Sequence, residues 1–170
     1  TMAAALVAPL SIMAAAIHIV AHAFGKITLF FAAGAIYTAA HKTNVSQLDG
    51  IGRKMPWTMG AFAIASLSMI GLPPTVGFVS KWYLLSGAMQ AQADFAIVVL
   101  ILSTLLNAGY FLPIVYRAFT KPAPDEPSTH THGEAPKTMV WALSATALVT
   151  VLLFFAPDWP VGFASQLVSQ

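Results

Sequence analysis

The chain contains no cysteine, and only 8% of its 170 residues are charged. Without cysteine there is neither a disulfide framework nor a thiolate metal site. The formal net charge of +2 is too small to indicate nucleic acid. Acidic residues are the scarcest charged class: Asp49, Asp94, Asp125, Glu126, Glu134 and Asp158 all fall in expected loops or at the ends of expected spans. No carboxylate is therefore placed to coordinate a cation within a span. There is no phosphate-cradling glycine motif and no nucleophile with a base at local spacing, so soluble-enzyme chemistry has no carrier. What the chain has instead is apolar surface, with 58% hydrophobic residues and a mean hydropathy of +0.75. A soluble domain carries roughly 25% charged residues. The solvent for this chain is a bilayer.

Apolar runs and turn residues divide the chain into about four transmembrane spans of an all-α, polytopic helical bundle. Pro9 separates residues 1–8, the end of a preceding helix, from a first span at about 10–40. The opening "TMAAALVAP" is already apolar, and the chain is expected to be cut from a longer polypeptide. The polar loop 41–56 leads to a second span, 57–90, interrupted by "GLPP". There Pro73 and Pro74 remove two backbone donors and Gly71 loosens the turn, which predicts a broken helix. A third span, 95–119, contains Pro113, where a kink is expected. The Pro-rich segment 120–137 reads as an exposed linker, and a fourth span, 138–156, precedes an amphipathic tail.

Lys42, Arg53 and Lys54 follow the first span, and Arg117, Lys121 and Lys137 follow the third. The second-to-third loop and the C-terminal tail hold no Lys or Arg. By the positive-inside rule the two basic loops are cytoplasmic and the C-terminus lies outside, in an inner (plasma) membrane. Only Lys26 and Lys81 then remain inside spans.

A charge at mid-bilayer costs on the order of 2.5–3.5 kcal/mol on insertion scales, so both lysines need a reason. In "HIVAHAFGK", His18, His22 and Lys26 are spaced four apart. On a helix they occupy an arc of about 80° and climb roughly 12 Å, forming one polar stripe. Tyr37 continues the line, while Ala21, Gly25, Ala32 and Ala33 keep part of the face small enough for another helix. Each histidine alone also fits a hydrogen-bonded packing role. Lys26, deep within its span, is out of snorkelling reach, and the three together favour a proton path. A metal reading of His18 and His22 lacks a third ligand on the same stretch.

Lys81 follows the break in "GLPPTVGFVSKWYLL". The carbonyls of Met69 and Ile70, four residues before the prolines, lose their helical donors and are free to face a cavity. Discontinuous helices of this kind mark ion sites in transporters. A lysine beside such carbonyls has a proton affinity set by its surroundings, which suits a relay. The competing reading is a structural kink with Lys81 paired to a fixed carboxylate. Ser103, Asn107 and Tyr110 of the third span are weaker candidates for the same aqueous route. His130 and His132 in "THTHG" read as solvated, and Trp57, Trp82, Trp141 and Trp159 as interfacial anchors.

Residues 18–85 resemble the C-terminal part of the antiporter-like proton-translocating membrane subunits shared by respiratory complex I and the Mrp-type multi-subunit sodium/proton antiporters. "HIVAHAFGK", "LDGIGRKMP" and "GLPPTVGFVSKW" carry the likeness, in that order, and the extended loop motif with "SKWYLL" is most similar to the Mrp D subunit. The resemblance implies a fold of two inverted five-helix repeats, each contributing half of a proton channel. It implies that Lys81 is the terminal ionisable residue of the second repeat's broken helix. His18, His22 and Lys26 then line the helix that connects a central lysine to the exit. Partners would be other membrane subunits, protons and monovalent cations (Na+ or K+), with the lipid bilayer around them; no cofactor, metal or nucleic acid is expected. Gly25 departs from the bulky apolar residue of many members. The glutamate and paired lysine of the first half, and the central lysine of the second, have no counterparts here. Two other roles stay open on these grounds: a proton-pumping subunit of complex I or a membrane-bound hydrogenase, and a structural scaffold without transport.

Overall fold

The computed structural model describes residues 9–122 and 133–166. The segments 1–8 and 167–170, and with them the preceding helix and the end of the tail, lie outside the described residues, as do His130 and His132. All regular structure among the described residues is helical: α1 (Pro9–Ala40), α2 (Ile51–Lys54), α3 (Pro56–Ile70), α4 (Val76–Gln90), α5 (Asp94–Thr120), α6 (Lys137–Phe155) and α7 (Asp158–Gln166), with a 3-10 turn at Val45–Leu48. By length and apolarity, α1, α5 and α6 each suffice to cross a membrane. The helices α3 and α4 have 15 residues each, about 22 Å at 1.5 Å per residue. Each alone is shorter than the ~30 Å hydrocarbon core.

The bundle is organised around α1. Small residues on one of its faces, Ala14, Ala21, Gly25, Ala32 and Ala35, are buried and let α3, α4 and α6 approach closely. Thr28 adds a polar contact, donating to the Phe24 carbonyl at 2.8 Å and lying 2.8 Å from the Thr146 hydroxyl of α6. Two apolar clusters result. One joins Ile36, Ile51, Met55, Met59, Ala118 and Leu143 near the loop end of the bundle, and the other joins Ile17, Ala21, Val76 and Ala164. Through Ala164 the helix α7 packs against α1 and α4 and is tied to the bundle rather than lying free as a tail. α5 continues through Pro113 without interruption and turns Phe95, Val98, Leu102, Leu105 and Leu106 outward. Such a face requires apolar surroundings, supplied by lipid or by neighbouring helices.

The two basic loops meet at one end of the bundle. Loop 41–56 is more structured than its composition suggests, because α2 and the 3-10 turn fold within it. Asp49 accepts from Arg117 Nε at 2.7 Å and Nη2 at 3.1 Å, and the Gly50 amide donates to the Arg117 carbonyl at 3.2 Å. Residues before α6 are anchored too. The Glu134 carboxylate accepts from the Trp57 amide (2.6 Å), the Thr58 amide (3.3 Å) and the Thr58 hydroxyl (2.7 Å). It thereby satisfies orphan donors at the α3 N-terminus. The expected exposed linker therefore ends in a clasp.

The guanidinium hydrogen bonds of Arg117, with a smaller direct charge attraction from Arg117 and Lys121, hold the Asp49 carboxyl below the usual carboxylate range. A depressed folded value contributes stability above the unfolded pKa of about 3.9 and loses it as pH falls through the folded value. The difference in thermal midpoint between the parent subunit and its Asp49→Asn variant, measured in detergent, is expected to be constant near neutrality and to shrink below about pH 4.

Candidate proton-relay site

The break between α3 and α4 is built by its sequence. Gly71 ends α3 with φ +86°, a left-handed conformation that costs other residues roughly 1–2 kcal/mol. The amides of Gly71 and Leu72 both return to the Leu67 carbonyl, at 2.8 and 2.9 Å. Pro73 and Pro74 carry no N–H, so the expected donors to Met69 and Ile70 are missing. Thr75 closes the turn by donating to the Leu72 carbonyl at 2.7 Å, and α4 starts at Val76. A Cβ on Gly77 would fall on the Ser68 carbonyl oxygen, so α3 and α4 cross at backbone contact.

Lys81 folds back across this break. Its stem runs over Gly71, where a Cβ would collide with Lys81 Cδ. Its Nζ donates to the Ile70 carbonyl at 2.7 Å and to Thr104 Oγ1 of α5 at 2.9 Å. Thr104 in turn donates to the Leu100 carbonyl at 2.9 Å. Lys81 is half-buried, and among the described residues no carboxylate pairs with it. The carbonyl freed by the prolines is what the amine meets here. A cavity of about 230 Å³ adjoins the amine, lined by Gly71, Phe78, Trp82, Leu85, Leu100 and Thr104 among others.

The histidines reach the same helix by another route. His18 Nδ1 lies 3.0 Å from Ser80 Oγ, the residue next to Lys81. Ser80 is buried and donates its proton to the Gly77 carbonyl at 2.9 Å. The Ser80 hydroxyl thus bridges the Gly77 carbonyl and the His18 ring. The His22 ring lies 5.7 Å from that of His18. Lys26 lies one turn beyond His22 and hydrogen-bonds to none of these groups. It is exposed and opens onto a separate cavity of about 400 Å³ with Lys42, Phe62, Met69, Tyr110 and Phe111. Gly25 beside it faces α3, where a Cβ would stand 3.1 Å from Met69 Sδ.

Of the α5 candidates, Tyr110 reaches the Lys26 cavity, whereas Ser103 is exposed and Asn107 half-buried, neither bonding Lys81. Thr104 takes that place. Periodicity was its signal: it precedes the buried Phe111 and Ala118 by one and two heptads on the inward face of α5. Ser80 is a second residue that pattern reading passed over, since one hydroxyl beside a lysine carries no motif. The four tryptophans, Trp57, Trp82, Trp141 and Trp159, are all exposed.

A helical membrane bundle whose broken helix places a lysine against a carbonyl freed by proline resembles the discontinuous helices that form ion sites in transporters. The family described as NADH:quinone oxidoreductase/Mrp antiporter, transmembrane, matches residues 1–107. The chain belongs to that family. It is 42% identical over 165 residues to NADH-quinone oxidoreductase subunit N of Desulforudis audaxviator, covering 95% of this chain and 33% of the relative. Hydrogenase-4 component B of Escherichia coli K12 is 28% identical over 158 residues, which cover 87% of this chain and 23% of that protein. In fold it superimposes on a chain of the Mrp complex from Dietzia sp. DQ12-45-1b with a TM-score of 0.89 at 19% identity, covering 98% of this chain and 39% of that one. The chain thus spans about a third of the length of the subunit N relative. It corresponds to part of an antiporter-like, multi-pass membrane subunit of that family, whose members include subunits of NADH-quinone oxidoreductase and of hydrogenase-4.

Two glycines of α3 and its end provide a contrast. Gly71→Ala is expected to lower stability by about 1–2 kcal/mol from its backbone conformation and to displace the Lys81 stem. Gly60→Ala, with open space around its Cβ position, is expected to be neutral or stabilising by about 0.5–1 kcal/mol. Chemical denaturation of both variants in the same detergent checks the pair.

Proposed function

We propose that the chain is the C-terminal portion of the proton-translocating subunit of a multi-subunit monovalent cation/proton antiporter, of the D type. It contributes the second half-channel and its exit, and it acts as a transporter subunit, not as an enzyme. The observation that carries the transport reading is the Lys81 amine held by the Ile70 carbonyl and a hydroxyl, with no carboxylate partner among the described residues. An ammonium so placed is solvated without being locked by an opposite charge. Lys81 alternates between charged and neutral forms, and His18, His22 and Lys26 relay protons between it and the neighbouring half-channel. The break at Gly71, Pro73 and Pro74 exists to present the Ile70 carbonyl. Protons and Na+ or K+ are the transported ions, and other membrane subunits complete the pathway.

The loop motif "LDGIGRKMP" and "SKWYLL" favour the D-type assignment. The two basic loops, which meet at one end of the bundle, face the cytoplasm, and the C-terminus lies outside, in the plasma membrane. The spans are 10–40, 57–90, 95–119 and 138–156. The identity of 42% to a subunit N favours a second reading, a proton-pumping subunit of complex I. Purifying the native assembly separates them: small hydrophobic antiporter subunits support the first, iron-sulfur and quinone-site subunits the second.

Replacing Lys81 in the complete native subunit is the test of transport. Lys81→Ala is expected to abolish proton flux in inverted vesicles, with the complex still assembled on native gels. Undiminished flux in that assembled variant would overturn the role and leave the scaffold reading.

A further inference from the structure

We infer that Thr104 is a positioning residue for Lys81, whose hydroxyl reverses its hydrogen-bond direction so that both protonation states of the amine remain bonded. The inference rests on the relay reading of Lys81. It starts from an inventory of donors and acceptors. An ammonium has three N–H donors and no acceptor, whereas a neutral amine has two donors and one electron pair. In the structure the Lys81 amine has two protein partners, the Ile70 carbonyl at 2.7 Å and Thr104 Oγ1 at 2.9 Å. Both act as acceptors, because the Thr104 proton is donated to the Leu100 carbonyl. Two N–H donors are therefore engaged, and the third N–H of the ammonium is bonded to neither partner.

When the amine loses a proton, the two partners cease to be equivalent. The Ile70 carbonyl can only accept, and its prolines leave it no helical donor to fall back on. It must keep an N–H from Lys81. Of the two protein partners, Thr104 is the one that can donate. The Leu100 carbonyl can release the hydroxyl proton at little cost, since a helical carbonyl keeps its backbone N–H donor from four residues on. The hydroxyl is a rotor about one bond.

The step is a proton transfer with the following balance. The third N–H of the ammonium, bonded to neither partner, passes its proton to a water molecule in the adjoining cavity, which becomes hydronium. The electron pair of the broken N–H bond stays on Nζ. Rotation about Cε–Nζ turns that pair toward Thr104, whose O–H swings from Leu100 to receive it. Reprotonation from the water route reverses each motion. A site lacking the hydroxyl offers the neutral amine no protein donor, which favours the charged form and slows the cycle.

Among the described residues no other hydroxyl bonds the amine. Ser80 is committed to Gly77 and His18, and Ser103 and Asn107 form no bond to the amine. Among the titratable groups of the described residues, α1 carries His18, hydrogen-bonded to Ser80 next to Lys81, together with His22, Lys26 and Tyr37; α4 carries Tyr83, α3 has none, and α5 has Asp94, Tyr110, Tyr116 and Arg117.

The experiment compares Thr104→Val, Thr104→Ser and Lys81→Ala in the complete native subunit within its assembled complex. Proton flux in inverted vesicles is recorded across pH, with assembly followed on native gels. Val keeps the shape of Thr and removes the hydroxyl. Thr104→Val is expected to lower flux about ten-fold or more and to displace the pH midpoint, while Thr104→Ser stays within about two-fold of the parent and keeps its midpoint. If Thr104→Val does not assemble, Thr104→Ala is measured in its place against the same expectations. Parental flux and pH profile in the hydroxyl-free variant, with Lys81→Ala inactive, would overturn the inference and leave the relay reading intact. Equal loss in the Val and Ser variants would also overturn it, since packing and not the hydroxyl would then matter. Full flux in Lys81→Ala would instead remove the relay reading itself.

Discussion

Everything around the break depends on one backbone carbonyl. Two consecutive prolines strip the helix end of donors, and a carbonyl without a donor at membrane depth is costly unless something replaces it. The Lys81 ammonium replaces it at Ile70, and the same bond meets the lysine's need for a solvating oxygen. Each group would be a liability alone. Gly71 makes their meeting possible twice over, by taking the left-handed conformation that ends α3 and by leaving empty the space through which the lysine stem passes.

The rest of the bundle holds this meeting in place. Close approach at Gly77 fixes the crossing of α3 and α4, and α5 lies near enough to bring Thr104 to the amine. α1 is the common wall, with small residues on its packed face and His18 at its edge against Ser80. The polar groups thus fall into two neighbourhoods. One gathers His18, His22, Ser80, Lys81 and Thr104, and the other opens around Lys26 and Tyr110. The stripe seen along α1 is continuous in sequence, yet its lower member faces a different cavity.

Much of this was legible in the residues. Apolar runs and their Pro, Gly and Asn punctuation defined an all-helical membrane fold, because bilayer thickness and backbone satisfaction leave few alternatives. The break could be located since proline chemistry is local: the missing donors lie at fixed offsets from Pro73 and Pro74. What escaped was non-local. Thr104 is 23 residues from Lys81, and its selection over Ser103 depends on the rotation of α5. Glu134 looked like one more charge in a Pro-rich linker, although three hydrogen bonds fasten it to α3 from 76 or 77 residues away. No period or motif records contacts of that kind.

That carboxylate gives α3 an unusual electrical symmetry. A helix presents partial positive charge at its first amides and partial negative charge at its last carbonyls. Here a full negative charge covers the first end and an ammonium the last, so the peptide dipoles lie between two ions of opposing sign. The helix is held between a carboxylate that reaches it from the loop before α6 and the amine of Lys81. Neutralising Lys81 alone would leave the first end of α3 covered by Glu134 and the last end without its counter-charge.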